Sequence, residues 1–149
     1  MLDTNLLILL IAGRTNPDII ERHKNLDAYS REDYAALEQV VGSASDLRVT
    51  PHILTETSNL LAQTGEPDRG SLMDSLAALM RAPRSIEELN LPSHHAAARR
   101  EFARLGLTDT ALLVEHETEY TLLTADQRLF VACAAAGRKA LYFPSLKDE

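Results

Sequence analysis

Short strand-like segments alternate with longer segments of helical periodicity along this chain, and this alternation narrows its possible folds more than any other feature. The strand-like segments are brief and mostly apolar, at residues 1–3, 47–50, 120–123 and 140–143. Strands that are separated by helices typically pair in parallel and carry helices on both faces of the sheet. We therefore predict an α/β fold, an α/β/α sandwich around a mainly parallel central sheet of about four to five short strands.

Residues with helix-capping chemistry mark where several helices begin and end. Ser30 precedes a segment with helical apolar spacing and has Asp33 three residues later, which is close to a capping-box pattern. Thr50 is followed by Pro51, and proline favours the first turn of a helix. Gly106 is predicted to close one helix before another opens.

The size and composition of the chain indicate one domain in a reducing compartment. With 149 residues, of which 45% are hydrophobic, the chain can bury one core, and no linker-like tract divides it. The single cysteine, Cys133, excludes an intramolecular disulfide and favours the cytoplasm. The apolar run at residues 6–11 is too short for a membrane span, which needs about 20 residues, and we predict a buried helix there. We expect a soluble cytoplasmic protein that does not bind membranes.

The net charge leaves the binding partner open. The chain carries 22 acidic and 15 basic residues, a net charge of −7, whereas proteins that bind nucleic acid usually have an excess of lysine and arginine. Acidic residues that bind metal ions are neutralised by those ions, however. The acidic balance therefore does not exclude nucleic acid as a substrate.

Four acidic residues occupy positions that can converge at one edge of the predicted sheet. Asp3 and Asp126 fall at or just after the carboxyl ends of predicted strands. Glu56 lies about one turn into the helix that follows a strand, and Asp109 begins a helix. Because ligands of open parallel sheets bind beyond the carboxyl ends of the strands, we expect these side chains to form one site.

Each acid also has an ordinary structural explanation. Asp126 can cap a helix, Asp109 can complement a helix dipole, Glu56 can be a solvated helix residue, and Asp3 can be a polar chain start. As a group, four carboxylates would repel one another unless cations lie among them. An all-oxygen site of this kind suits Mg²⁺ or Mn²⁺ better than Zn²⁺.

Four segments of the chain resemble the conserved segments of the PIN-domain family, which includes VapC-type toxins. Each segment contains one of the four acids, in the order of the family, and together they extend over nearly the whole chain. The matching segments are Leu2-Asp3-Thr4-Asn5, residues 50–59 (TPHILTETSN), Leu107-Thr108-Asp109-Thr110 and Leu122-Leu123-Thr124-Ala125-Asp126.

The resemblance implies that residues 1–149 form a single PIN domain with a metal-dependent ribonuclease site. Asp3, Glu56, Asp109 and Asp126 would hold one or two Mg²⁺ or Mn²⁺ ions. The enzyme would hydrolyse RNA phosphodiester bonds with metal-activated water, leaving a 5′-phosphate and a 3′-hydroxyl.

The resemblance also implies further residues and partners. Asn5 and Thr124 match positions that order the site without necessarily binding the metal. The protein would be the toxin of a toxin–antitoxin pair, with RNA as substrate, a cognate antitoxin as partner and a homodimer as its assembly. Independently of the family, Arg128 lies just after Asp126 and is a candidate for binding the RNA phosphates.

Two other functions compete with this one. The first is a PIN-like module that binds RNA or a protein without cleaving, because only Met1 and Leu2 precede Asp3 and leave a very short first strand. The second is a phospho-accepting signalling domain, which also gathers acids at strand ends. That class predicts paired acids early in the chain and a lysine near the end of a late strand, whereas Asp3 has no acidic neighbour and Lys139 precedes its strand.

Overall fold

The computed structural model describes residues 1–82, 86–114 and 120–148. Within these ranges most of the chain is helical, with one short 3₁₀ turn at Lys24–Leu26. The α-helices are α1 (Thr4–Thr15), α2 (Asp18–Arg22), α3 (Arg31–Ser43), α4 (Pro51–Ala62), α5 (Asp68–Arg81), α6 (Ser93–Ala97), α7 (Phe102–Ala111), α8 (Gln127–Ala135) and α9 (Phe143–Leu146).

Helix α1 forms the centre of the hydrophobic core. Its residues from Leu6 to Ala12 are all buried, so the helix is apolar around its whole circumference, as expected of a helix with no solvent-facing side. It packs against α2, α3, α4 and α5. The prediction of a buried helix at residues 6–11 is confirmed. In the described ranges no helix is both long enough and apolar enough to cross a membrane.

In the described part of the chain, four short strands form two separate parallel pairs. Strands β1 (Arg48–Val49) and β2 (Glu87–Glu88) form one pair. Strands β3 (Leu122–Thr124) and β4 (Ala140–Tyr142) form the other. Leu2 also pairs in parallel with Leu123 of β3, as an isolated bridge at this single position.

The predicted α/β/α sandwich with a sheet of four to five strands is therefore wrong. Within the described residues, the structure is mostly helical and contains two-stranded sheets only. The strands have two or three residues, well below the typical length of about 5–6 residues, and cannot carry a central sheet. The apolar residues that could have filled such a sheet lie in α1 instead.

The predicted helix boundaries that depend on local chemistry are largely confirmed. Ser30 and Asp33 form a complete capping box at the start of α3. Thr50 caps α4, with Pro51 in its first turn. Gly106 has a φ of 79° and interrupts the helical backbone of α7.

Candidate functional site

The four predicted carboxylates line one small pocket. Asp3, Glu56, Asp109 and Asp126 come from four different parts of the chain and surround a cavity of about 130 Å³. The other residues lining this cavity are Thr4, Asn5 and Leu129. We refer to it as the carboxylate pocket. The helices bring its walls together, since α4 packs against both α1 and α7.

Asp3 is the most firmly held of the four acids. Its Oδ1 accepts a hydrogen bond of 3.0 Å from the backbone N–H of Leu6, so it caps α1. Its Oδ2 accepts one from the hydroxyl of Thr124 and another, of 3.0 Å, from the backbone N–H of Ala125. Its own N–H donates to the carbonyl of Leu123 at 3.2 Å. A single bridge at Leu2 stands in place of the expected first strand. Asp3 is nevertheless held by hydrogen bonds both to α1 and to residues 123–125.

Asp126 is the N-cap of α8, which is the ordinary structural role that the sequence also allowed for it. Its Oδ1 accepts hydrogen bonds from the backbone N–H groups of Arg128 at 2.8 Å and Leu129 at 3.2 Å. Its own backbone N–H donates to Oγ1 of Thr124 at 3.0 Å. The Thr124 hydroxyl, fully buried, therefore connects Asp126 with Asp3.

Glu56 and Asp109 complete the pocket from the opposite helices. Glu56 lies on an exposed face of α4. Asp109 is partly buried in α7, in the short helical stretch that follows the break at Gly106. Because that break redirects the chain just before Asp109, it sets the direction from which this carboxylate enters the pocket.

The pocket raises the pKa values of two of its acids. Burial, followed by the charges of Asp126, Glu56 and Asp3, raises the pKa of Asp109 to about 6, and the nearby Arg128 opposes this rise. Burial is also the main cause that raises the pKa of Asp3, and Asp126 adds to it. The hydrogen bonds from Thr124, Leu6 and Ala125 lower the pKa of Asp3 and partly compensate.

The donor chemistry of the carboxylate pocket suits a hard divalent cation, but the side-chain arrangement is not preformed. All four predicted ligands offer carboxylate oxygens, and a cation would neutralise the repulsion that raises the pKa of Asp109. Yet no group of three acidic, histidine or cysteine side chains in the described part of the chain is placed to hold one ion. Asp3 explains part of this, because both of its oxygens already accept hydrogen bonds.

Of the remaining predicted site residues, Asn5 lines the pocket and Arg128 lies near it. Asn5 is exposed in the first turn of α1 and lines the cavity. Arg128 is exposed in the first turn of α8, close enough for its charge to lower the pKa of Asp109. Thr4, which belongs to the first of the matching segments, also lines the cavity. Sequence reasoning missed the contribution of Leu129, which its helical spacing from Asp126 could have indicated.

Comparisons of the chain with protein-family models, with curated proteins and with solved structures find no match.

Proposed function

We propose that this chain is an Mg²⁺- or Mn²⁺-dependent endoribonuclease that hydrolyses RNA phosphodiester bonds. The observation that carries the proposal is the convergence of Asp3, Glu56, Asp109 and Asp126 on one pocket. Burial, and after it the charges of Asp126, Glu56 and Asp3, raise the pKa of Asp109 to about 6, and this supports the proposal because sites that hold cations concentrate negative charge.

The four carboxylates would have different roles in such a site. Glu56, Asp109 and Asp126 would hold the cation, and Asp3, fixed by its hydrogen bonds to Thr124 and Leu6, would keep the pocket in shape and contribute negative charge. When bound, a divalent ion supplies the acidity that activates water and offsets the charge of a phosphoryl group.

Arg128 would bind the RNA chain at the edge of the pocket. The guanidinium group has a fixed set of donors that matches phosphate oxygens, and this residue is exposed. An acidic pocket alone repels a polyanion, so a cationic group at its rim is needed to hold the substrate while the acids face the reacting phosphate.

The sequence resemblance to PIN-domain segments supports RNA as the substrate class. It also supports the wider context of the proposal: a toxin of a toxin–antitoxin pair, restrained by a cognate antitoxin and acting as a homodimer. The α/β/α sheet expected from the same resemblance is not part of this support, since the fold differs.

Replacement of Asp109 tests the proposal. We expect the parent protein to cut single-stranded RNA only when Mn²⁺ is present, and Asp109→Asn to lose at least about a hundredfold in rate, comparable to the loss of one major electrostatic contact in an active site. Asp74→Asn is the control, because Asp74 is an exposed acid of α5 outside the pocket. Cleavage by Asp109→Asn at the parent rate would refute the assignment.

A second function is favoured by the capping roles of two of the acids. Asp3 and Asp126 each accept hydrogen bonds from the first turn of a helix, which is a sufficient structural reason for an acid there. A non-cleaving module that binds RNA or a protein partner is consistent with that observation. Calorimetric titration with Mn²⁺ separates the two functions, since only the nuclease requires saturable binding that Asp109→Asn abolishes.

A further inference from the structure

A second groove adjoins the carboxylate pocket and shares a wall with it. This groove, which we call the α4 groove, has a volume of about 380 Å³. Glu56 lines both cavities. The other residues that line the α4 groove are Pro51, His52, Thr55, Asn59, Leu107 and Thr108. A group bound in the groove therefore lies directly beside the carboxylates.

One face of α4 supplies most of this groove. His52, Thr55, Glu56 and Asn59 are spaced by three, one and three residues, so they form one continuous stripe along the helix. The opposite face is fixed in the core by the buried residues Ile53, Thr57 and Leu61. Because that core face anchors the helix, the polar stripe is presented in a defined orientation.

The surface of the groove suits a flat, uncharged group. Leu107 is 36% exposed and offers an apolar surface to the groove, and Pro51 adds a second one. The ring of His52 lies within hydrogen-bond distance of Oγ of Ser93, at 3.3 Å from Nε2, which restrains its position. Aromatic rings such as the imidazole of His52 are surfaces on which single-stranded bases stack.

The charge of the groove argues against a phosphate inside it. Among the described residues that line it there is no lysine or arginine, and Glu56 is negative. An anionic group would be repelled from this position. A neutral base is the part of an RNA chain that the groove can accept while an adjacent phosphate reaches the carboxylate pocket.

Asn59 provides the polar group that can read a base. It is exposed on the α4 stripe, and its amide offers one acceptor and two donor hydrogens. An asparagine amide matches the N6 amino group and N7 acceptor of adenine with two parallel hydrogen bonds. Thr55, one turn earlier, adds an exposed hydroxyl.

We propose that the α4 groove binds an unpaired adenine of single-stranded RNA and that Asn59 reads its edge. In this proposal the base lies between Leu107 and His52, and the adjacent phosphate of the RNA chain lies at the carboxylate pocket. This inference deepens the proposed ribonuclease function and rests on it for the identity of the substrate.

Binding of adenosine to the intact, metal-free chain tests the groove apart from cleavage. Adenosine has no phosphate, so its binding does not require a cation. In NMR spectra we expect adenosine to shift the side-chain amide signals of Asn59 and the methyl signals of Leu107. The side-chain amide of Gln39, exposed on α3 and outside the groove, is expected to stay unchanged.

A matched ligand isolates the contact with Asn59. In 7-deazaadenosine the N7 acceptor is missing while the stacking surface is kept, so we expect it to bind the parent about tenfold more weakly than adenosine. Asn59→Ala should bind both ligands equally, and Gln39→Ala should discriminate as the parent does. Both changes place a better helix former on an exposed position, so neither threatens folding.

Two results would overturn the inference: equal affinity of the parent for the two nucleosides, or discrimination that survives in Asn59→Ala. The outcome is distinct from that of the cleavage test. Discrimination that depends on Asn59 would uphold the α4 groove even if the chain failed to cut RNA, and cleavage without discrimination would remove only the groove.

Discussion

The hydroxyl of Thr124 donates a hydrogen bond to Oδ2 of Asp3, a residue 121 positions away in the chain. The hydroxyl oxygen of Thr124, Oγ1, in turn accepts a bond of 3.0 Å from the backbone N–H of Asp126. One buried side chain therefore couples the caps of α1 and α8, and with them two of the four walls of the carboxylate pocket.

Thr124→Val is expected to weaken both the fold and the site. The change keeps the shape but leaves one donor fewer for Asp3 and no acceptor for the N–H of Asp126. Loss of a buried partner of this kind costs about 1–3 kcal/mol, which urea unfolding can measure. Thr124→Ser keeps the hydroxyl and should lie much closer to the parent. Equal stability of the valine and parent proteins would contradict the coupling.

Asp109→Asn is expected to stabilise the metal-free protein at neutral pH. The pKa of Asp109 is raised to about 6 in the fold, so its ionised form opposes folding above that pH, whereas the effect becomes small as the pH falls towards 3.8, the ordinary pKa of the group. Allowing for solvent screening, we expect about 1 kcal/mol, or a Tm higher by about 2–4 °C. Thermal unfolding in a chelator at pH 7.5 and pH 4 measures this. A gain of the same size at both pH values would exclude the ionisation of Asp109 as its cause.

Arg128→Ala is expected to weaken RNA binding and to leave Mn²⁺ affinity largely intact. If the guanidinium contacts one phosphate, the slope of log K against log salt should fall by about 0.7 for a single strand. Titrations of single-stranded RNA at several salt concentrations, under metal conditions that prevent cleavage, give this slope. Arg69→Ala removes an exposed arginine of α5 that does not line the pocket and is the control. An unchanged slope for Arg128→Ala would remove this residue from the RNA interface.

Gly13→Ala is expected to destabilise the contact between α1 and α3. A Cβ atom at Gly13 would overlap the ring of Tyr34 at its base, where the side chain cannot simply swing away. Overpacking of this kind costs about 1–3 kcal/mol. Gly42→Ala, within α3 and with open space around it, should instead stabilise by about 0.5–1 kcal/mol. Denaturant unfolding compares the two, and a neutral effect at Gly13 would show that Tyr34 can move.

His23 is expected to make stability fall as the pH drops below about 6.5, its ordinary pKa. Burial, with a further contribution from Lys24, lowers the pKa of His23, so the unfolded chain takes up the proton before the folded one does. Its Nε2 lies 2.8 Å from Oγ1 of Thr64. His23→Gln should reduce the loss of stability between pH 7.5 and pH 5.5, measured by urea unfolding. His94→Gln, at an exposed position of α6, is the comparison. An identical loss in His23→Gln and the parent would contradict this explanation.

The helix caps could be predicted because each depends on hydrogen bonds between residues that are close together in the sequence. Ser30, Thr50 and Asp126 each bind the backbone of the next helical turn, so the residue and its partner lie within a few positions of the sequence. The break at Gly106 is local in the same sense. Such features depend little on the rest of the fold.

The strand pairing could not be predicted in the same way. Strand β1 pairs with Glu87 and Glu88, two exposed acids without the apolar alternation that marks a strand. How many strands join one sheet depends on contacts between distant segments. The apolar run at residues 6–11 predicts the buried helix α1, but it does not specify which other segments pair as strands around it.

The carboxylate pocket could be predicted from the sequence only in part. The rule that ligands bind at strand ends places Asp3 and Asp126 together, and the pairing of residues 1–3 with β3 does bring them there. The hydrogen bonds that join them through Thr124 depend on side-chain orientation across the two segments, which no spacing in the sequence specifies.

The burial of α1 has a consequence for how the pocket responds to thermal opening. Amide hydrogens of a fully enclosed helix exchange with solvent chiefly through global unfolding, whereas peripheral helices exchange through smaller, local openings. We therefore expect the amides of α1, which Asp3 caps, to exchange most slowly, whereas Glu56 lies on the exposed face of α4. A local opening of α4 would displace Glu56 while Asp3 stays in place, so the carboxylates would reassemble without refolding of the domain.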